Sequence, residues 1–300
     1  MRLNPFYKGL NEKGWQKKLN KLEEIISSCT LCPRNCKVNR LKKETGYCRT
    51  LEKPFISSAF PHFGEEKELV GHNGSGTIFF SNCNLSCVFC QNWEISASGE
   101  GRYIEYEDLA DIMLELQRKG CHNINLVTPT HQVYGILKAI YIANRKGLEL
   151  PIVYNCGGYE NLETLKILEG VIDIYMPDFK YGDNGTGIKY SDCENYFSIA
   201  KIAIKEMFRQ VGELIIDENG ILKRGLLVRH LVLPNNLANS FNILQFLAKE
   251  VSTKILLNLM DQYYPAYKSS FYPELKRRIT DTEYNEVVKI AEKLGFKYIA

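Results

Sequence analysis

Three cysteines in one short segment carry the strongest chemical signal of this sequence. Cys83, Cys87 and Cys90 lie within residues 81–92, directly after an apolar run that predicts a strand. Cysteine sulfur is the usual ligand of cubane iron clusters, and three thiolates leave one iron of a [4Fe-4S] cluster open. A zinc site would need a fourth ligand, whose candidates are distant in sequence: His122, His131 and Cys156. The segment therefore favours a [4Fe-4S] cluster whose open iron can bind a substrate.

A second group of cysteines lies nearer the N-terminus: Cys29, Cys32, Cys36 and Cys48. Four thiolates close the coordination of a metal site, and the spacing of the first three suits zinc and an iron–sulfur cluster equally. Residues 29–53 mix cysteine, proline and basic side chains with little periodicity. We predict a knuckle folded around a second metal, either zinc or iron–sulfur, in preference to four free buried thiols.

The elements that must position these cysteines alternate along the chain from about residue 77. Six short apolar runs predict strands: residues 77–81, 123–128, 152–155, 171–176, 226–233 and 254–259. Helical patterns accompany them: residues 108–119, 133–146, 161–168, 195–210, 240–251 and 283–294. Most of the strand runs are too continuously apolar to have a wet face, which indicates buried parallel strands. We predict an α/β fold, a partial (β/α)6 TIM-like barrel, although a doubly wound open sheet gives the same alternation.

Two further elements complete the predicted organisation. Trp15, Leu19, Leu22 and Ile26 recur at helical spacing and predict an amphipathic N-terminal helix that ends near the first cysteine group. Residues 213–223 contain Asn-Gly between apolar pairs and predict a small hairpin before the fifth strand. We expect residues 1–53 to form the N-terminal helix and the four-cysteine knuckle, and residues 54–300 to form the barrel.

Composition and charge exclude some partners and suggest a compartment. With 38 basic and 35 acidic residues, the formal charge of +3 is too close to balance to indicate a nucleic-acid or anionic-membrane partner. No apolar run reaches the length of a signal peptide or of a membrane helix. We therefore expect a cytoplasmic protein that binds no nucleic acid and no membrane. In that reducing compartment, clustered cysteines are metal ligands or reactive thiols rather than disulfides.

The cysteine segment also resembles the signature of a known superfamily. Its Cys-x3-Cys-x2-Cys spacing, with the aromatic Phe89 before the last cysteine, is similar to that of radical S-adenosylmethionine (radical SAM) enzymes. The stretch from Gly71 to Leu85 resembles more closely the group related to pyruvate formate-lyase activating enzymes. The resemblance covers roughly residues 55–265 and implies that Phe89 belongs to the cofactor site.

The resemblance implies radical chemistry performed by two cofactors, a [4Fe-4S] cluster and S-adenosylmethionine. The open iron would chelate the amino and carboxylate groups of S-adenosylmethionine, and one electron would cleave a carbon–sulfur bond to give a 5′-deoxyadenosyl radical. That radical would abstract hydrogen from a protein, peptide or small-molecule substrate, among them a glycyl-radical enzyme. By resemblance, the electron donor is a flavodoxin or a ferredoxin. The reaction would occur at the carboxyl ends of the strands.

The predicted strand ends carry polar residues at the positions where the family binds S-adenosylmethionine: Thr128, Thr130, His131, Asn155, Asp178, Lys180 and Arg229. Asp178 and Lys180 match the family's Asp-x-Lys pattern, whose charges complement the zwitterionic methionyl group. Arg229 aligns with a strand arginine and needs an anion, which is the cofactor if the side chain faces the barrel and a helix carboxylate if it faces outward. His230 lies on the opposite face and is the weaker ligand candidate.

The other strand ends depart from the family pattern. Thr128, Thr130 and His131 stand where these enzymes often have Gly-Gly-Glu, and they either replace those polar contacts or simply start a helix. Asn155 stands in place of an acid, which keeps hydrogen bonding but loses the charge. Asp261 and Gln262 are weak substrate-facing candidates where activating enzymes have a histidine nearby.

Two non-enzymatic interpretations remain. A zinc-knuckle nucleic-acid binder is suggested by basic residues among the first cysteines: Lys37, Arg40, Lys42, Lys43 and Arg49. A solvated basic face explains these residues equally well, and this interpretation gives the βα series no purpose. The second interpretation is an electron carrier that holds two iron clusters without catalysis.

Overall fold

The computed structural model describes residues 3–299, and within them ten strands form one sheet. The strands are β1 Phe55–His62, β2 Ser75–Phe80, β3 Arg102–Tyr103, β4 Ile124–Val127, β5 Ile152–Cys156, β6 Ile174–Pro177, β7 Ile215–Ile216, β8 Leu222–Leu231, β9 Leu256–Met260 and β10 Tyr298–Ile299. Their order is β10-β9-β8-β6-β5-β4-β2-β1-β3, with β7 paired to β8. All pairs from β2 to β10 along this path are parallel, whereas β1 and β3 add antiparallel pairs at one edge.

The helices alternate with the parallel strands, as the sequence predicted. They are α1 Glu12–Ser27, α2 Lys67–Val70, α3 Trp93–Ser96, α4 Tyr106–Arg118, α5 Val133–Arg145, α6 Leu162–Leu168, α7 Asn184–Ser191, α8 Tyr196–Val211, α9 Ser240–Phe246 and α10 Asp281–Lys293. Each of the six predicted strands is confirmed, as β2, β4, β5, β6, β8 and β9. The predicted hairpin is β7 paired with the start of β8. Strands β1, β3 and β10 and the short helices α2, α3 and α7 were not predicted.

The two faces of the sheet bury separate apolar clusters. Side chains such as Leu126, Tyr154 and Val228 belong to a large core that they share with the helices. On the other face, Val153 and Leu227 belong to a smaller cluster that Leu69 of α2 completes. Because side chains alternate between faces along a strand, this smaller cluster is the interior of a curved sheet. The fold is therefore an α/β partial barrel, as predicted.

A segment between the first two strands fills the lower interior of the barrel. Residues 63–74, which we call the plug, connect β1 to the amino end of β2 and contain α2. Leu69 of the plug is fully buried in the interior cluster. The carboxyl end of the barrel remains open as a cleft of about 380 Å³.

The N-terminal segment packs onto the outside of the barrel. Trp15, Leu19, Leu22 and Ile26 of α1 are buried, as predicted, and belong to the same core as the barrel helices. Asn11 starts the helix because its side chain accepts a hydrogen bond from the Gly14 backbone N–H at 2.9 Å. Within residues 3–299, no helix has the length and apolarity needed to span a bilayer.

Candidate active site

The loop that follows β2 places three thiols at the open end of the barrel. Residues 81–92, which we call the cluster loop, bring Cys83, Cys87 and Cys90 to the wall of the cleft. The Ser191 hydroxyl donates a hydrogen bond to the Cys87 sulfur at 2.9 Å, and the Ser96 hydroxyl lies 3.2 Å from the Cys90 sulfur. The structure therefore brings together the three predicted cluster ligands from one loop.

The three thiols are half-buried in the wall of the cleft, and a cation lies near them. Burial raises the pKa of Cys83 to about 12, and burial also raises the pKa of Cys87 although the nearby Lys180 ammonium opposes that effect. A buried thiolate is stable only beside a compensating positive charge or a metal. This donor set fits a cluster whose irons supply the charge that burial requires.

The aromatic residue of the signature supports the loop from below. Phe89 is buried and lines the cleft, and its ring packs edge-on against Tyr181 and Tyr263 at centroid distances of 6.4 and 5.9 Å. Such edge-to-face packing fixes the orientation of each ring. Phe89 therefore fixes the backbone between Cys87 and Cys90.

A network of charges lies beside the thiols. The Lys180 ammonium is 2.7 Å from the Asp178 carboxylate, and Arg229 Nε donates to the other Asp178 oxygen at 3.0 Å. Burial alone would raise the pKa of Asp178, but Lys180 and Arg229 hold it below its usual value. A carboxylate, an ammonium and a guanidinium together complement the amino and carboxylate groups of a methionyl moiety.

Arg229 faces the barrel interior, which settles the question that the sequence left open. Its NH1 group donates to Glu65 at 3.2 Å, and its NH2 group donates to Asn155 at 2.8 Å. Burial would lower the pKa of Arg229, but the carboxylates of Asp178, Glu66 and Glu65 raise it. All three guanidinium nitrogens thus have protein acceptors, so a ligand carboxylate must replace or share one of them. His230 lies on the outer face and bonds the Phe179 carbonyl and Ser240.

Of the three residues predicted for the site in the loop after β4, one lines the cleft and two do not. Thr128 lines the cleft with a backbone φ of +61°, a conformation that is strained for a β-branched residue. The buried Thr130 hydroxyl instead donates to Glu160 at 2.6 Å, and the His131 ring bonds the Ser81 carbonyl at 2.9 Å. Burial lowers the pKa of His131 to about 3. Thr130 and His131 were predicted to contact the cofactor, but both side chains bond within the protein and neither lines the cleft, so their roles are structural.

Sequence reasoning missed the residues that the plug and β1 bring to the cleft. His62 and Glu65 line the cleft, although both precede β2 in the chain. Glu65 also accepts a hydrogen bond from Asn125 at 3.0 Å, which ties the plug to β4. Acidic residues in a loop before a strand have no pattern that predicts burial inside a barrel. Of the weak candidates, Gln262 lines the cleft, whereas Asp261 is exposed.

The four N-terminal cysteines line a small cavity of their own, of about 10 Å³: Cys29, Cys32, Cys36 and Cys48. A Cβ at Gly46 would come within 2.7 Å of the Cys36 sulfur, so only glycine allows this close turn of the knuckle, residues 29–53. Among residues 3–299, no three His, Cys, Asp or Glu side chains are drawn together closely enough for a single metal ion. The thiols of a cubane bind different irons and need not converge on one ion.

The knuckle contacts the cluster loop directly. Arg34 Nε donates to the Asn84 carbonyl at 3.0 Å, and its guanidinium lies 3.6 Å from the centroid of the Tyr47 ring. Arg49 donates to the Asn82 side chain at 3.1 Å. These contacts on both sides of Cys83 make the knuckle a wall of the cluster site.

Two of the basic residues that suggested nucleic-acid binding have partners within the protein. Arg40 is buried, and it donates to the His131 carbonyl at 2.8 Å and to the Leu51 carbonyl. Arg49 is exposed but donates to the cluster loop. These contacts weaken the nucleic-acid interpretation, because they leave three exposed lysines of the original five basic residues: Lys37, Lys42 and Lys43.

Comparison with known proteins identifies the family. Residues 77–209 match the radical SAM superfamily. An uncharacterized protein of Methanocaldococcus jannaschii, MJ0674, is 35% identical to the chain, and the match covers 92% of this chain and 78% of the relative. A second uncharacterized protein of that organism, MJ0808, is 23% identical over 93% of this chain and 82% of the relative.

Solved structures give only a distant likeness. SuiB of Streptococcus suis, bound to its precursor peptide SuiA, has 12% identity and a TM-score of 0.49 over 73% of this chain. The hydrogenase maturase HydG of Carboxydothermus hydrogenoformans has the same identity, coverage and TM-score. The chain spans about half the length of each, 46% of SuiB and 50% of HydG.

The matched residues begin in β2 and include the whole cluster loop and the Asp178–Lys180 pair. The cysteine signature, the partial barrel and the family match therefore agree. The chain belongs to the radical SAM superfamily, whose enzymes use a [4Fe-4S] cluster and S-adenosylmethionine to start radical reactions.

Proposed function

We propose that the three cysteines of the cluster loop hold the [4Fe-4S] cluster and that the charged strand ends hold S-adenosylmethionine beside it. The residues assigned to S-adenosylmethionine are Thr128, Asn155, Asp178, Lys180 and Arg229. The observation that carries the proposal is that the three thiols and the Lys180–Asp178 ion pair line one cleft. Held by Cys83, Cys87 and Cys90, a reduced cluster would supply the electron for the reductive cleavage of S-adenosylmethionine.

The side chains of this chain bind, orient and protect. Lys180 can receive the methionyl carboxylate while its charge also offsets the Cys87 thiolate. Asp178 can receive the methionyl ammonium because Lys180 and Arg229 keep it ionised. Gly157 lines the same cleft, where a Cβ would lie 2.8 Å from Leu85 and 3.8 Å from Lys180, so glycine keeps the approach to Lys180 open.

We further propose that the enzyme resembles the pyruvate formate-lyase activating enzymes and abstracts hydrogen from a protein, peptide or small-molecule substrate. A glycyl-radical enzyme is one such substrate, and a flavodoxin or ferredoxin would supply the electron. The motif from Gly71 to Leu85 supports this subgroup, whereas Asn155 and the loop after β4 depart from it. Crosslinking to a partner, followed by electron paramagnetic resonance for a glycyl radical, tests this choice.

The cleavage reaction provides the test of the proposal. Anaerobically reconstituted protein with dithionite and S-adenosylmethionine should form 5′-deoxyadenosine, and Cys87→Ala should reduce the product to background. Cys121→Ala is a matched control, because Cys121 is buried in the core and away from the cleft. An electron carrier would accept electrons without forming 5′-deoxyadenosine, so an absent product in the wild-type protein contradicts the proposal.

A further inference from the structure

A side chamber extends from the cleft between the plug and strands β8 and β9. It has a volume of about 350 Å³ and opens to solvent. Glu65, Arg229, Met260 and Gln262 line both the chamber and the cleft, so the two spaces adjoin. A substrate group in the chamber would therefore lie next to the S-adenosylmethionine site that we propose.

Glu66 lines this chamber, and one of its carboxylate oxygens lacks a hydrogen-bond donor within the described residues. The residue is 8% exposed, and its Oε1 atom accepts a hydrogen bond from the Asn258 amide at 2.8 Å. Its buried Oε2 atom has no hydrogen-bond partner within residues 3–299. Buried carboxylate oxygens normally accept a hydrogen bond. A ligand in the chamber can supply the donor that Glu66 Oε2 lacks.

Glu66 also has no ion-pair partner of its own within residues 3–299. The nearby cation Arg229 is paired with Asp178 and Glu65. Lys67 lines the chamber too, but its side chain is 86% exposed and lies 3.7 Å from Glu68. Since a solvated lysine contributes little, the Glu66 carboxylate lacks a close cation.

We propose that this chamber binds a cationic nitrogen group of the substrate, a primary ammonium or a guanidinium, through the Glu66 carboxylate. Such a group brings both the missing donor and the missing charge. A divalent metal is a poorer occupant because it needs several oxygen ligands, whereas Glu66 offers one free oxygen beside a guanidinium. The proposal names a substrate class for the proposed function and rests on it.

Small probes test the chamber in the wild-type protein. Reconstituted protein is titrated with n-butylammonium, with its neutral isostere 1-butanol and with butyrate, and binding is measured by calorimetry or ligand-observed NMR. We expect n-butylammonium to bind at least about tenfold more tightly than 1-butanol, with butyrate the weakest. Equal binding of the ammonium and the alcohol would overturn the proposal.

Matched variants then locate the binding. Glu66→Gln keeps the shape of the side chain and should abolish the preference for n-butylammonium. Glu68→Gln is the control, because Glu68 lies two residues further along the plug, in α2, but does not line the chamber. Thermal melting of both variants shows whether each is folded, and an unchanged ammonium preference in folded Glu66→Gln contradicts the assignment.

The two proposals can fail separately. If the wild-type protein selects the ammonium through Glu66 but forms no 5′-deoxyadenosine, the ammonium site is supported and the proposed cleavage reaction is wrong. If 5′-deoxyadenosine forms but the ammonium is not selected, the reaction stands and the substrate class is wrong.

Discussion

The cluster loop and the knuckle are both cysteine sites, yet they differ in the free space beside their thiols. The three thiols of the loop line a cleft of about 380 Å³, whereas the four thiols of the knuckle line a cavity of only about 10 Å³. A cation, Lys180, lies beside the loop thiols, and Arg34 and Arg40 line the knuckle cavity. Three ligands at a wide cleft suit a site that admits a substrate, and four thiols around so small a cavity suit a structural or auxiliary metal.

The two sites also differ in how far regular secondary structure holds them in place. The cluster loop is attached to a strand whose position the sheet already fixes. The knuckle has almost no regular secondary structure, only a 3-10 turn at Arg40–Lys42. A segment without a sheet or a long helix would depend more for its folding on the metal that we predict for it. Mutations in the two sites should therefore separate catalysis from stability.

The largest expected effect comes from one cysteine in each site. Cys87→Ala should lose iron and 5′-deoxyadenosine formation but keep the knuckle metal and nearly the wild-type melting temperature. Cys32→Ala should lose the knuckle metal and several kcal/mol of stability, a fall in Tm on the order of 10 °C. Elemental analysis and thermal melting measure both variants. Equal loss of stability in the two would remove the distinction between the sites.

An intermediate effect is expected from the cation beside the cluster loop. Lys180→Met removes the partner of Asp178 and should weaken S-adenosylmethionine binding by about 10- to 100-fold, as expected for a lost hydrogen bond between charged groups. Lys189→Met is the control, because that lysine is 56% exposed and pairs with Glu274 at the surface. Equilibrium binding to the reconstituted protein measures both. Unchanged affinity in Lys180→Met would show that the ion pair is only structural.

The smallest effect concerns a buried acid that lies between the two sites. Glu160 accepts hydrogen bonds from Thr130 and Tyr154, and its charge affects both Cys32 and Cys156. Burial raises the pKa of Glu160 from its ordinary value of 4.5 to about 7. The folded protein therefore holds a proton that the unfolded chain releases, and this stabilisation is present below pH 4.5 and is lost as the pH rises through 7.

Glu160→Gln should remove that part of the pH dependence. The fall in unfolding free energy between pH ~5 and ~8 should shrink by on the order of 2 kcal/mol, measured by urea denaturation. Asp173, whose pKa burial raises to about 7, should leave a residual fall. The exposed Glu163→Gln serves as control. If the unfolding free energy depends on pH equally in Glu160→Gln and in the wild-type protein, Glu160 stays ionised when buried.

The predicted elements were recovered where the local pattern is strong. Continuous apolar runs identified the six parallel strands, and the spacing of Trp15, Leu19, Leu22 and Ile26 identified α1. The short edge strands β3 and β10, of two residues each, were missed because so few residues show no periodicity. The plug was missed for a different reason, since the apolar Leu69 directly follows a run of four charged residues, 65–68.

What the sequence determined by itself is the chemistry of the cluster loop and the series of strands that carries it. Cysteine spacing and side-chain alternation are local properties, and they predict a three-thiol loop at the carboxyl end of a strand. Only the tertiary structure decided which distant groups meet. Arg229 meets Glu65, 164 residues away, and His131 turns toward the knuckle, because the curvature of the sheet and the path of the plug depend on packing over the whole chain.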